Sequence, residues 1–106
     1  MKLILAIVNN DDAYSVSASL SKEGFSVTKI SSTGGFLMSG NSTFLIGVED
    51  TDTDRAIDII SKNCEKREQI IPQSMVKGSF IPHGTTKVTV GGATVFVLGV
   101  EDCKHL

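Results

Sequence analysis

Two glycine pairs stand out among the residues of this chain able to do chemistry. Gly34 and Gly35 sit in SSTGGFLMSGNSTFLIG, residues 31–47, and Gly91 and Gly92 sit in VGGATVFV, residues 90–97. Glycine admits positive φ and a close backbone approach, so adjacent amides can cradle a phosphate oxygen. Phe36 follows the first pair and has the ring needed to stack on a purine. Asn41 carries a donor and an acceptor, the pair that matches an adenine edge. Thr28 adds a hydroxyl upstream. Each residue also has a plain reading: glycine for a turn, Phe36 for the core, Asn41 as a cap at a strand start, Gly91–Gly92 as a β-bulge. Residues 31–47 are therefore open between a tight turn, a phosphate cradle and an aromatic shelf.

Catalysis finds little to work with. A nucleophile needs a nearby base and a group to orient it. His83 lies in a breaker-rich stretch and His105 in the last residues, and neither has a signature partner. TGG and VGG are not followed by GK[ST], so neither is a phosphate-binding Walker loop. GGFLMSG is not a GxGxxG fingerprint, and it runs into a strand rather than a helix. The carboxylates of NNDD and EDTDTD fall at helix starts, where capping and the helix dipole account for them. Cys64 and Cys103 form no CxxC pair, and two cysteines with two histidines at these spacings do not make a zinc site. The chain reads as non-enzymatic, with no metal and no resident cofactor.

Size and composition narrow the class. The chain has 106 residues, 41% hydrophobic and 21% charged, with a net charge of −2. That is one domain, residues 1–106, able to bury roughly 60–70% of its unfolded surface. The acidic balance argues against binding a nucleic-acid polymer, which takes a basic footprint. No apolar run approaches the ~20 residues of a membrane span. MKLILAIV stops at NNDD, too early for a signal peptide. It reads as a buried strand of a cytoplasmic protein, in which both cysteines stay reduced.

The elements that must position these residues follow from periodicity. Residues 2–9 are a short apolar run, the mark of a central strand. Asp11 or Asp12 offers an N-cap, Ala13, Val16, Ser17 and Leu20 make a helical stripe, and Gly24 suits the C-terminus, so residues 12–23 form a helix. Residues 25–31 and 41–49 alternate as strands. In the second, Asn41, Thr43, Leu45 and Gly47 share one face, and Ser42, Phe44, Ile46 and Val48 the other. Thr51 and Asp54 resemble a capping box before a second helix over about 53–65, with Ile57, Ile60 and Cys64 as its apolar stripe. EQIIP begins a strand that Pro72 limits to an edge or an end. QSMVKGSFIPHGTT is a long loop, with KVTV a short strand beyond it, and residues 93–100 are the last strand. A loop longer than ~12 residues in a compact domain is usually functional or disordered.

The order βαββαβ is the ferredoxin-like plan of class α+β, an antiparallel sheet with two helices on one face. Its other face is partly apolar and needs a cover, and self-association is the simplest one.

KISSTGGFLMSGNSTFLIGV, CEKREQ and VGGATVFVL together resemble the PII-like cyclic di-AMP receptor proteins, small signal-binding proteins of Gram-positive bacteria. The resemblance covers nearly the whole chain. It implies a homotrimer that binds cyclic di-AMP at its subunit interfaces and signals to a downstream protein. It also implies a short loop after the second strand and a long one before the last, which the ligand reorders. Carried over residue by residue, Thr28 and Asn41 hydrogen-bond an adenine. Gly35, Phe36 and Leu37 line the base pocket, and Gly47 lets the base approach its strand. Gly91, Gly92 and Phe96 come from the neighbouring subunit, near the second base or the phosphates. Ser26 stands where family members often carry a ligand-contacting arginine. A charged hydrogen bond contributes roughly 1.5–3 kcal/mol, so this change weakens binding by one or two orders of magnitude. The alternatives are a PII-like binder of another adenine nucleotide, ATP or AMP, and a purely structural trimer.

Overall fold

The computed structural model describes residues 1–30, 40–72 and 85–106. Strands β1 (Lys2–Asn9), β2 (Val27–Ile30), β3 (Asn41–Val48) and β6 (Ala93–Gly99) form a four-stranded sheet in the order β2-β3-β1-β6, every neighbour antiparallel. Helices α1 (Asn10–Lys22) and α2 (Thr53–Asn63) cover one face. That is the expected ferredoxin-like arrangement. A separate two-stranded ribbon, β4 (Arg67–Pro72) with β5 (Thr85–Val90), is added before β6.

The core lies between the sheet and the helices. Ile4, Ala6 and Val8 of β1 alternate onto the helix side and meet Phe44, Ile46 and Val48 of β3, Val16 and Leu20 of α1, and Ala56 and Ile60 of α2. The central position of β1 explains why it is so apolar: both of its edges and one whole face are covered.

Helix α1 starts earlier than the expected residues 12–23. Its N-cap is Asn9, whose side-chain oxygen accepts from the Asp11 N–H at 2.8 Å, so neither Asp11 nor Asp12 caps it. Asp12 is instead buried in the first turn. The helix ends in a Schellman motif: the Gly24 N–H donates to the Ser21 carbonyl (3.1 Å) and the Phe25 N–H to the Leu20 carbonyl (3.0 Å). Gly24 closes it with φ +89°, and Phe25 drops into the core beside Leu20. Nothing lies within 4 Å of a Cβ at Gly24, so only backbone strain opposes a side chain there. Gly24→Ala is therefore expected to cost about 1–2 kcal/mol in urea unfolding. An unchanged midpoint would contradict this account of the cap.

Helix α2 also departs from expectation at its start. A 3-10 turn over Asp50–Asp52 precedes it, and no side-chain hydrogen bond caps it, so the Thr51–Asp54 capping box is not made. Thr53 Oγ1 donates to the Glu49 carbonyl at 3.2 Å instead. The 3-10 turn runs directly into α2, so Thr51 lies within that turn and Asp52, not Thr51, holds the N-cap position. Arg55, near the start of α2, lies 4.4 Å over the ring of Phe25 just beyond α1, and Ser19 Oγ of α1 donates to Asn63 Oδ1 at 3.2 Å. Helix α2 is thus held at one end by the exit of α1 and at the other by α1 itself.

Pro72 is the last residue of β4, as its missing N–H requires. The strand expected at KVTV is β5, two residues longer than predicted at its start. Residues 73–84 of the long loop lie outside the described residues.

Candidate functional site

The face of the sheet away from the helices carries four of the expected ligand residues. The strand register arranges it in rows. Thr28, Leu45, Leu5 and Phe96 make one row across the four strands. Gly47, Leu3 and Leu98 make a second, and Ile30, Thr43, Ile7 and Thr94 a third. Asn41 pairs with Asn9 at the sheet's end. Thr28, Asn41, Gly47 and Phe96 therefore share one surface, because alternation sends every second residue there.

They do not meet at one point within a chain. Strands rise ~3.3 Å per residue and lie ~4.8 Å apart, so Asn41 is ~13 Å along β3 from the row holding Thr28. By the same spacings Thr28 and Phe96 are ~14 Å apart.

Asn41 does meet Gly91 and Gly92. The three line a cleft of about 390 Å³ together with Ile7, Asn9, Lys66, Ala93 and Thr94. The register explains the meeting. Ala93 pairs with Val8 of β1, so Gly92 falls next to Asn9, which pairs with Asn41. The Asn10 N–H donates to the Gly40 carbonyl at 2.8 Å and Ser42 Oγ donates to Asn10 Oδ1, which lock the start of β3 to the start of α1.

Gly91 and Gly92 are not a bulge inside a strand. They are the turn from the ribbon into β6, with φ +91° and +77°. The Gly92 N–H donates to the Cys64 carbonyl, and a Cβ on Gly91 would collide with the Glu65 carbonyl and approach Arg67 Nη1 at 3.0 Å. Arg67, the first residue of the ribbon, is held by Asp12. Its Nη2 lies 3.0 Å from Asp12 Oδ1, and its Nη1 donates to the Glu65 carbonyl at 3.1 Å. The root of the ribbon is thus clamped to the first turn of α1, beside the cleft.

Chemically the cleft offers the Asn41 carboxamide, the Asn9 NH2 left over from capping α1, a hydroxyl from Thr94, glycine backbone and one lysine. Lys66 is the one charged side chain among the described residues that line it. This set suits a ligand with a polar heterocycle edge and an anionic group. Thr43 Oγ1, on the same sheet face, is buried and without a hydrogen-bond partner among the described residues. Leaving such a hydroxyl unpaired costs about 1–3 kcal/mol.

The remaining expected residues divide in two. Ser26 is exposed two residues before Thr28, outside β2 and outside the cleft lining. Gly35, Phe36 and Leu37 lie outside the described residues. The sequence alone marks no ligand role for Asn9, Lys66 or Thr94, reading the EKRE charge only as a complement to the helix dipole, and it shows no sign of the Asp12–Arg67 pair. Lys66 sat inside the CEKREQ motif, a signal that was legible. The ion pair links positions 55 apart and left no local sign.

Among the described residues no group of three or more His, Cys, Asp or Glu could hold a metal ion. Cys64 is buried at the C-terminus of α2 and both cysteines are free. Burial first, and then the Asp12 charge, push the Cys64 thiol up to about 11, with Arg67 pulling the other way. The thiolate is the reactive form, so at neutral pH an alkylating reagent is expected to modify exposed Cys103 and spare Cys64. Two labels on the native protein by intact mass would contradict this. The raised value also means that folding stability falls as pH rises from 9.0 through about 11.

No described helix is long and apolar enough to cross a membrane. The family model for cyclic-di-AMP receptors matches residues 1–106. Among solved structures, the chain is similar to the crystal structure of a functionally unknown protein from Pediococcus pentosaceus ATCC 25745. The two are 38% identical, over 99% of this chain and 96% of that one, with a TM-score of 0.77.

Proposed function

The chain belongs to the cyclic-di-AMP receptor family, and on that footing we propose that it is a non-catalytic signal receptor binding cyclic di-AMP through its open sheet face. The match over the whole chain carries the reading. The cleft supports it: a polar wall with Asn41 and two glycines at positive φ fits one adenine and a phosphodiester. At about 390 Å³ it is at the low end of small-molecule sites, roughly 300–1,000 Å³, so one chain's cleft suits part of a dinucleotide.

The working form is a homotrimer with ligand at the subunit seams. An apolar face with Leu3, Leu5, Leu45 and Leu98 favours burial against other copies. The spread of Thr28, Gly47 and Phe96 away from Asn41 fits seams better than an intramolecular pocket. Bound ligand orders the segment between β4 and β5 and so changes a surface that a downstream protein reads. The ligand is an exchangeable signal, not a resident cofactor, and the setting is the cytoplasm.

Calorimetry on purified protein tests this. Saturable binding of one cyclic di-AMP per protomer is expected, with mass in solution equal to three chains. A second reading, a receptor for ATP or AMP, draws on the neutral, exposed Ser26. Displacement of cyclic di-AMP by either nucleotide at lower concentration would favour it. Silence with all three at high-micromolar concentration would end both.

A further inference from the structure

Lys66 lies between α2 and the ribbon, and it lines the polar cleft that holds Asn41, Gly91 and Gly92. Its stem runs along Gly92: Cε is 3.1 Å and Cγ 3.3 Å from the point where a Cβ on Gly92 would sit. The missing side chain at residue 92 is what lets the lysine lie there. Both arginines and Lys62 have acid partners, whereas Lys2, Lys22 and Lys29 make no ion pair among the described residues but do not line this cleft. Arg67 is paired with Asp12, Arg55 with Glu23 and Asp52, and Lys62 with Asp58. Lys66 makes no ion pair among the described residues. The cleft is therefore lined by one lysine, without an ion pair among the described residues, whose stem lies beside the positive-φ glycine turn.

From this juxtaposition we propose that Lys66 is the phosphate-contacting cation of the cleft and that Gly92 positions it. The inference rests on the receptor reading above and adds a residue to that same site. A phosphodiester carries a full negative charge, and an ammonium brought to it makes a charge-assisted hydrogen bond. A partly exposed pair of this kind is weakened by salt.

The test is calorimetric titration with cyclic di-AMP across a salt series, for wild type, K66Q and K66R. K66Q is expected to bind about tenfold more weakly at low salt and to show a flatter salt dependence. K66R keeps the charge and should stay within about threefold of wild type. Gly92→Ala, which pushes the stem aside, should resemble K66Q. Lys66 is exposed, so all three lysine forms are expected to share one melting temperature. If wild type binds and K66Q matches it in affinity and salt slope, the assignment of Lys66 is wrong while the receptor reading stands. If wild type itself does not bind, the receptor reading fails and this assignment falls with it.

Discussion

Gly91→Val is expected to unseat the β4–β5 ribbon and remove ligand binding. Three costs coincide at this position. A non-glycine residue at φ +91° bears about 1–2 kcal/mol of backbone strain. Its Cβ collides with the Glu65 carbonyl, a backbone atom that cannot swing away. It also crowds the Arg67 guanidinium, whose Nη1 donates to the Glu65 carbonyl and whose Nη2 ties the ribbon to Asp12. Relief requires the turn to move, and the turn is one wall of the cleft. A loss of about 2–4 kcal/mol in local stability follows, with the four-stranded core intact because Gly91 is outside it. Hydrogen exchange should therefore accelerate in β4 and β5 and stay slow in β1 and β3. Unchanged exchange across the ribbon would contradict the role given to this turn.

Asn41→Ala is expected to weaken cyclic di-AMP binding by roughly 10- to 100-fold, the worth of about 1–3 kcal/mol for a bidentate contact to an adenine edge. Asn41 is exposed at the first position of β3. Truncating it leaves the core untouched, so the melting temperature should hold. Asn41→Asp is expected to be at least as damaging. It keeps the acceptor, loses the donor and sets a negative charge facing a phosphodiester. A trimer that acts only through protein contacts would tolerate both changes, so unaltered affinity in Asn41→Ala would favour that rival.

Much of the fold was legible in the residues, for reasons that differ by element. The run KLILAIVN reads as a central strand because Ile4, Ala6 and Val8 are buried under the helices while Leu3, Leu5 and Ile7 are flanked by side chains of a strand on either side. Val16 and Leu20 mark α1 because a helix laid on a sheet buries one stripe. Gly24 was readable because only a left-handed residue closes a Schellman motif without strain. The helix starts were less legible. NNDD offers four capping side chains in a row, and which of them caps depends on where β1 ends. That in turn depends on its pairing with β3, a non-local matter, and the cap fell to Asn9. The Thr51–Asp54 box looked sound locally and lost to a 3-10 turn.

The candidate site was legible in its parts and not in its assembly. Period-two alternation was enough to put Asn41 and Gly47 on one face. That Asn41 lies beside Gly91 and Gly92 of the same chain follows only from the strand order β3-β1-β6. Two residues about fifty positions apart become neighbours across one intervening strand, and no spacing rule announces that. The Asp12–Arg67 clamp is of the same kind. Asp12 looked like a cap because acids are common in first turns. It is buried because an arginine from the ribbon reaches it.

The central claim is that cyclic di-AMP sits against the sheet end formed by Asn41 and the Gly91–Gly92 turn. A crystal structure of the protein grown with cyclic di-AMP tests it most directly. The account predicts one purine within hydrogen-bond distance of Asn41 and a phosphate beside Lys66, at each of three seams between chains. Ligand density on the helix side of the sheet, or an empty cleft in crystals of protein shown to bind cyclic di-AMP, would contradict it.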